Sequence, residues 1–116
     1  MSSGLTYRSK WGLDWQQIDV HGAAMEKAVL FEGDHGVRSA FFKMPAGLQI
    51  PHHTHTKWVQ VMVLEGCMQV EQQGSETIRV EGGGVYFLDP GYPHIETALT
   101  ETIVLVTQGE DRPGWM

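Results

Sequence analysis

Three histidines carry the chemistry that this sequence can perform. His53 and His55 lie in the run GLQIPHHTHTKWVQVMVLEG, residues 47–66. On a strand, alternate side chains share a face, so these two imidazoles point the same way about 7 Å apart along the chain. That spacing suits two ligands of one metal ion, and a third nitrogen from another strand would complete a facial set. His94, in GYPHIET, is the available candidate. Neutral imidazole suits zinc, nickel, iron and copper, and carboxylates with water extend the range to manganese. The expected cofactor is therefore one divalent ion: Fe, Mn, Ni, Zn or Cu. An isolated His-x-His is more often a surface pair without a ligand role, so the surrounding residues must decide. His52 has the opposite parity to His53, and His21 and His35 fall in segments that read as loops. None of these three is assigned to the metal.

Strands joined by turns must position such a set. Fourteen glycines and five prolines cut the chain into short segments whose apolar residues alternate. The predicted strands are Glu26–Phe31, Val37–Met44, Lys57–Leu64, Met68–Gln72, Thr77–Val80, Val85–Leu88, His94–Ala98 and Thr102–Gln108. Turn chemistry separates them at Gly33-Asp34-His35-Gly36, Glu65-Gly66, Gly74-Ser75, Gly82-Gly83-Gly84 and Pro90-Gly91. No stretch carries a helical stripe, although Leu13–Ile18 could form one short turn. The fold class is all-β, and many short strands with regular turns favour a barrel or jelly roll. A chain of 116 residues fits one domain, with 1–10 and 109–116 expected as loosely held ends.

In this region the sequence resembles the cupin superfamily. The first cupin motif runs Gly, five residues, His-x-His, three or four residues, Glu, six residues, Gly; Gly47, His53, His55 and Gly66 match it at the shorter spacing. The second runs Gly, five residues, Pro-x-Gly, two residues, His, three residues, Asn. Gly83, Gly91 and His94 match, while Asp89 stands for the proline and Ala98 for the asparagine. The two motifs span Gly47 to Ala98, nearly half the chain. The resemblance implies a double-stranded β-helix, the jelly-roll cupin barrel, with His53, His55 and His94 binding a metal inside it.

The departure that matters is the family's glutamate, whose place falls on Val59. Strand alternation puts Val59, Val61 and Val63 on the face of His53 and His55, and turns Trp58, Gln60 and Met62 outward. A bulge could rotate Gln60 inward as a fourth metal ligand. With three neutral ligands the ion keeps its full charge and acts as a stronger Lewis acid, leaving positions for a bidentate oxygen substrate. Glu96 shares the inward parity of His94 and is the candidate catalytic acid or base beside the metal; its bland alternative is a partner for a neighbouring polar group. Gln49 is expected to point inward as a polar contact. Tyr86 and Tyr92 could donate hydrogen bonds to a ligand, but aromatics near strand ends more often pack.

Two function classes follow. One is a metalloenzyme acting on a small enol, diketone, hydroxy-keto or sugar-like compound by oxidative cleavage, isomerisation or elimination, in line with the dioxygenases, isomerases and lyases among metal-binding cupins. The other is a non-catalytic small-molecule or sugar-binding module. Composition narrows the partners. A formal charge of -6 would repel a phosphate backbone, so nucleic acid is not expected. No window approaches a membrane span and the amino terminus lacks the apolar stretch of a secretory signal, which makes the cytoplasm the expected location. Cys67 is the only cysteine, so any metal must be held by nitrogen and oxygen. The apolar outer face around Trp58 and Met62 predicts a homodimer, as does the resemblance.

Overall fold

The computed structural model describes residues 4–9, 11–32 and 36–109. Among these residues every regular element is a strand: β1 (Gln16–Val20), β2 (Ala23–Glu32), β3 (Val37–Met44), β4 (Gln49–His53), β5 (Trp58–Glu65), β6 (Cys67–Gln72), β7 (Ile78–Glu81), β8 (Val85–Leu88), β9 (His94–Ala98) and β10 (Thr102–Gly109). All pairings are antiparallel. They form a six-stranded sheet ordered β1-β2-β3-β10-β5-β8 and a four-stranded sheet ordered β4-β9-β6-β7. This is a jelly roll, as the sequence predicts. Residues 33–35, on which the predicted turn Gly33-Asp34-His35-Gly36 largely falls, and segments 1–3 and 110–116 lie outside the described residues, as does Lys10.

Alternation builds the core. On β5, Val59, Val61 and Val63 are buried, while Gln60 between them is exposed. Across the sandwich, Met68 and Val70 on β6 and Ala98 on β9 join the same apolar cluster. Taking one such valine from water to full burial contributes about 1.5 to 3 kcal/mol, so the two facing rows hold the sheets together. The β5–β6 connection depends on Gly66. Its φ is +94°, and a Cβ there would lie 2.3 Å from the Glu101 carbonyl oxygen. Only glycine fits both restrictions.

Two expectations are corrected here. The segment Leu13–Ile18 forms no helical turn; its second half opens β1, which pairs with β2 from Gln16↔Lys27 to Val20↔Ala23. The two-residue loop His21-Gly22 closes that hairpin with φ of 52° and 90°, the positive values a tight hairpin turn demands. Gln49 does not point inward. Between Ile50↔Glu96 and His53↔His94, three steps along β4 face two along β9, so β4 carries an extra residue. The bulge shifts parity: Ile50 and His53 are both buried, and Gln49 is left exposed, bonding Thr97 Oγ1 at 3.1 Å.

Candidate metal centre

The bulge delivers His53 to the interior at the end of β4, opposite His94 at the start of β9. His55 follows in the β4–β5 loop, whose carbonyl at that residue accepts the Gly91 N–H at 2.9 Å. That bond ties the loop carrying His55 to the turn that leads into His94. Glu96, two residues along β9 from His94, turns into the same interior. One ligand atom from each of His53, His55, His94 and Glu96 lies within 4.8 Å of all the others. His53, His94 and Glu96 are buried, and His55 is half-buried.

Hydrogen bonds orient the rings. The carbonyl of Pro51 lies 2.5 Å from His53 Nδ1, and that of Tyr92 lies 3.0 Å from His94 Nδ1. A carbonyl only accepts, so each Nδ1 carries the proton and each Nε2 turns its lone pair toward the cluster. Glu96 Oε1 is 3.6 Å from both of these Nε2 atoms. Its other oxygen, Oε2, accepts a hydrogen bond from the buried Tyr86 hydroxyl on β8. His94 Nε2 is fully buried and has no hydrogen-bond partner among the described residues. An orphaned imidazole nitrogen facing two more imidazoles and a carboxylate is a donor set that a divalent cation fits.

Proton affinities follow the same geometry. Burial drives the Glu96 carboxyl upward, but His53, the Tyr86 hydroxyl and His94 outweigh it and hold the group below its ordinary value. Burial lowers His53, yet the Glu96 carboxylate and the Pro51 carbonyl, both of which favour the protonated ring, win and leave it raised. His55 is lowered by burial and by the neighbouring His53 and His94. His94 is lowered as well, since burial exceeds the pull of Glu96. Tyr86 is pushed well above 10 by burial and by the adjacent carboxylate, so it stays a donor.

The structure brings His53, His55, His94 and Glu96 together. Gln60 does not join them: it is exposed on the outer face of β5, paired across to Phe87 and Thr107, because no bulge interrupts β5 there. Val59 stays inside, as parity requires, and lines the cavity. Glu96 stands within the cluster and not beside it, so the set includes a carboxylate after all, on β9 where the family pattern would have one on β5. Two contacts escaped the sequence reading, which names Tyr86 only as a possible donor to a ligand and His21 only as a loop residue. Tyr86 supports Glu96 from β8, and the His21 ring stacks on His53 with centroids 4.7 Å apart. The first contact spans two sheets and the second needs the β1–β2 hairpin, which the sequence reading does not contain.

Above the cluster lies a cavity of about 140 Å³. Val20, Met25, Phe42, Ile50 and Val61 are among its apolar walls, and His53, His55, Glu96 and Gln108 supply its polar groups.

A family model described as the ChrR cupin-like domain matches residues 9–111. The chain matches no curated protein. Among solved structures, a predicted oxalate decarboxylase from Thermotoga maritima superposes with a TM-score of 0.79 at 21% identity, over 92% of this chain and 100% of that one. The polyketide cyclase RemF from Streptomyces resistomycificus gives 0.79 at 21%, over 94% and 82%. KdgF from Halomonas sp. gives 0.75 at 18%, over 96% and 100%. At these identities the likeness is one of fold.

Proposed function

The chain belongs to the ChrR cupin-like domain family, and from that premise we propose that it is a metal-dependent cupin acting on a small oxygenated molecule, an enol, diketone, hydroxy-keto or sugar-like compound. The observation that carries this reading is the orphaned, fully buried Nε2 of His94, facing His53, His55 and Glu96 at the floor of an apolar cavity. In this reading all four residues are ligands. A bound divalent ion would supply Lewis-acid polarisation of a substrate oxygen, or redox chemistry if it is iron. The remaining work falls to the chain. Nδ1–H bonds to the Pro51 and Tyr92 carbonyls fix the ring planes, Tyr86 holds Glu96 Oε2, and the walls from Val20 to Val61 exclude water from the reacting centre. Were the three histidines alone to hold the ion, Glu96 would instead be the carboxylate, among the described residues lining the cavity, placed to hold a proton next to a bound substrate. Oxalate and polyketides, the molecules in the names of two structural relatives, are themselves oxygen-rich.

The second reading is a non-catalytic binding module, and it has its own observation. Both oxygens of Glu96 are already engaged, one by Tyr86 and one beside two histidines, which leaves the cavity without an uncommitted base. One set of measurements separates the readings. Untagged protein is analysed for metal, then screened for turnover in air and without it. Near one equivalent of metal is expected, lost in His53→Ala, His55→Ala or His94→Ala and kept in Gln60→Ala. Full metal content in the three histidine variants would overturn the site. Oxygen-dependent turnover indicates oxidative cleavage, oxygen-independent turnover isomerisation or elimination. Ligand-induced stabilisation without turnover indicates a binding module. For partners, we propose a homodimer through the outer face of β5 and β8.

A further inference from the structure

A second cavity, of about 130 Å³, adjoins the one above the histidines and shares Phe42, Val106 and Gln108 with it. Its other walls are different in kind. Lys27 and Arg38 line it, with Glu32 as the one acidic residue in its lining. Two cations at the mouth run against the trend of a chain whose net charge is -6. Neither forms an ion pair among the described residues; the Lys27 ammonium sits over the Phe42 ring, 5.6 Å from its centroid.

The register joins this rim to the metal centre. Lys27 pairs with Phe42, and Phe42 pairs with Val104, so these three form one row across β2, β3 and β10. Val104 lines the inner cavity. One row intervenes on this face, Val29–Ala40–Val106–Val61, and beyond it a row runs from Arg38 through Gln108 to Val59 across β3, β10 and β5, again from rim to inner wall. Two strand spacings separate the ends of the first and last of these rows, roughly 10 Å. Lys27 is half-buried and its ammonium hangs over apolar surface, where a counter-ion gains more than it would in open water.

Resting on the reading of the histidine cluster as a metal centre, we propose that the ligand of this site is a small organic acid: an oxygen-chelating end sits at His53, His55, His94 and Glu96, a short apolar stem lies on Phe42 and Val106, and a terminal carboxylate is bound by Lys27. Arg38, exposed at the outer rim, draws the anion in. Glu32 opposes a second negative charge, which favours a ligand with one carboxylate at that end.

The test uses the zinc-loaded full chain and a matched pair of probes. Succinylacetone is a diketone with a terminal carboxylate; its neutral counterpart carries a methyl group in that place. Titration calorimetry is expected to show succinylacetone binding about tenfold more tightly or better, with the advantage shrinking as salt is added. Lys27→Met should abolish the difference while leaving metal content and the affinity for the neutral diketone unchanged, and Arg38→Met should chiefly slow association. Equal affinity for both probes in the zinc-loaded protein would overturn the proposal, as would Lys27→Met weakening both alike. Absence of bound zinc, measured on the same samples, would instead defeat the metal reading, and this proposal with it.

Discussion

Replacing Tyr86 with phenylalanine removes one hydroxyl and leaves the ring that packs in the core. Tyr86 is 6% exposed and Glu96 is 7% exposed, so water cannot take the place of the lost donor. A hydrogen bond to a charged group contributes about 1.5 to 3 kcal/mol, and Glu96 Oε2 loses the one it accepts from Tyr86. For a domain of this size, about 4 °C of melting temperature corresponds to each kcal/mol, which gives a loss of roughly 6 to 12 °C. If Glu96 is a metal ligand as proposed, the same hydroxyl orients it, and losing such support costs about 10- to 100-fold in metal affinity. Thermal unfolding of the metal-free protein reads the first effect, and competition with a zinc chelator reads the second. In a Glu96→Gln background the same substitution should cost far less, because the partner charge is gone. A melting temperature and zinc affinity unchanged in Tyr86→Phe would refute the assignment of the hydroxyl to Glu96. An equal loss in both backgrounds would show that Tyr86 acts through packing alone.

The metal-free protein should also show two pH limbs. Glu96 lies below 4.5 in the folded chain, so its stabilisation is complete above that pH and is lost as acid carries the solution through the lower folded value. Tyr86 lies well above 10, so stability falls as alkali passes 10, where only the unfolded chain ionises. Denaturant titrations across pH should find the acid limb flattened in Glu96→Gln and the alkaline limb flattened in Tyr86→Phe; limbs unchanged in these variants would contradict both origins. Light scattering at tens of micromolar should give a dimer mass, since Val85 is 53% exposed and Phe87, stacked on Trp58 with centroids 5.7 Å apart, is 52% exposed. Phe87→Lys should yield monomer with an unchanged fold, and a monomeric wild-type mass would count against that interface.

Much of the site was legible because its signals are local. His53, His55 and His94 announce themselves by residue type and by the glycines that frame them, and Glu96 follows from sharing the parity of His94. Val59 and Gln60 separate by alternation alone, since β5 pairs with β10 without a register shift from Trp58 to Val63. What failed did so where the chain breaks its period. Nothing in LQIPHH marks the extra residue of β4, so parity sent Gln49 inward when the bulge admits Ile50 instead. β1 was missed because its alternation is shallow: Ile18 and Val20 are half-buried between exposed neighbours. Tyr86 and His21 reach the centre only through pairings distant in sequence, and a parity rule has no knowledge of which strands face one another.

All four cluster residues come from β4, the loop after it, and β9, one paired segment of the smaller sheet. Apart from Ile50 on β4, the apolar cavity walls, Met25, Phe42, Val59 and Val106 among them, belong to the larger sheet, which shares no backbone ladder with that segment. Heredity can therefore edit the two halves separately. A substitution at Phe42 or Val106 reshapes what is admitted without displacing an imidazole, so new appetites can arise on a fixed reactive floor. A library confined to those wall positions would explore selectivity while the segment carrying the histidine cluster passes through every variant intact.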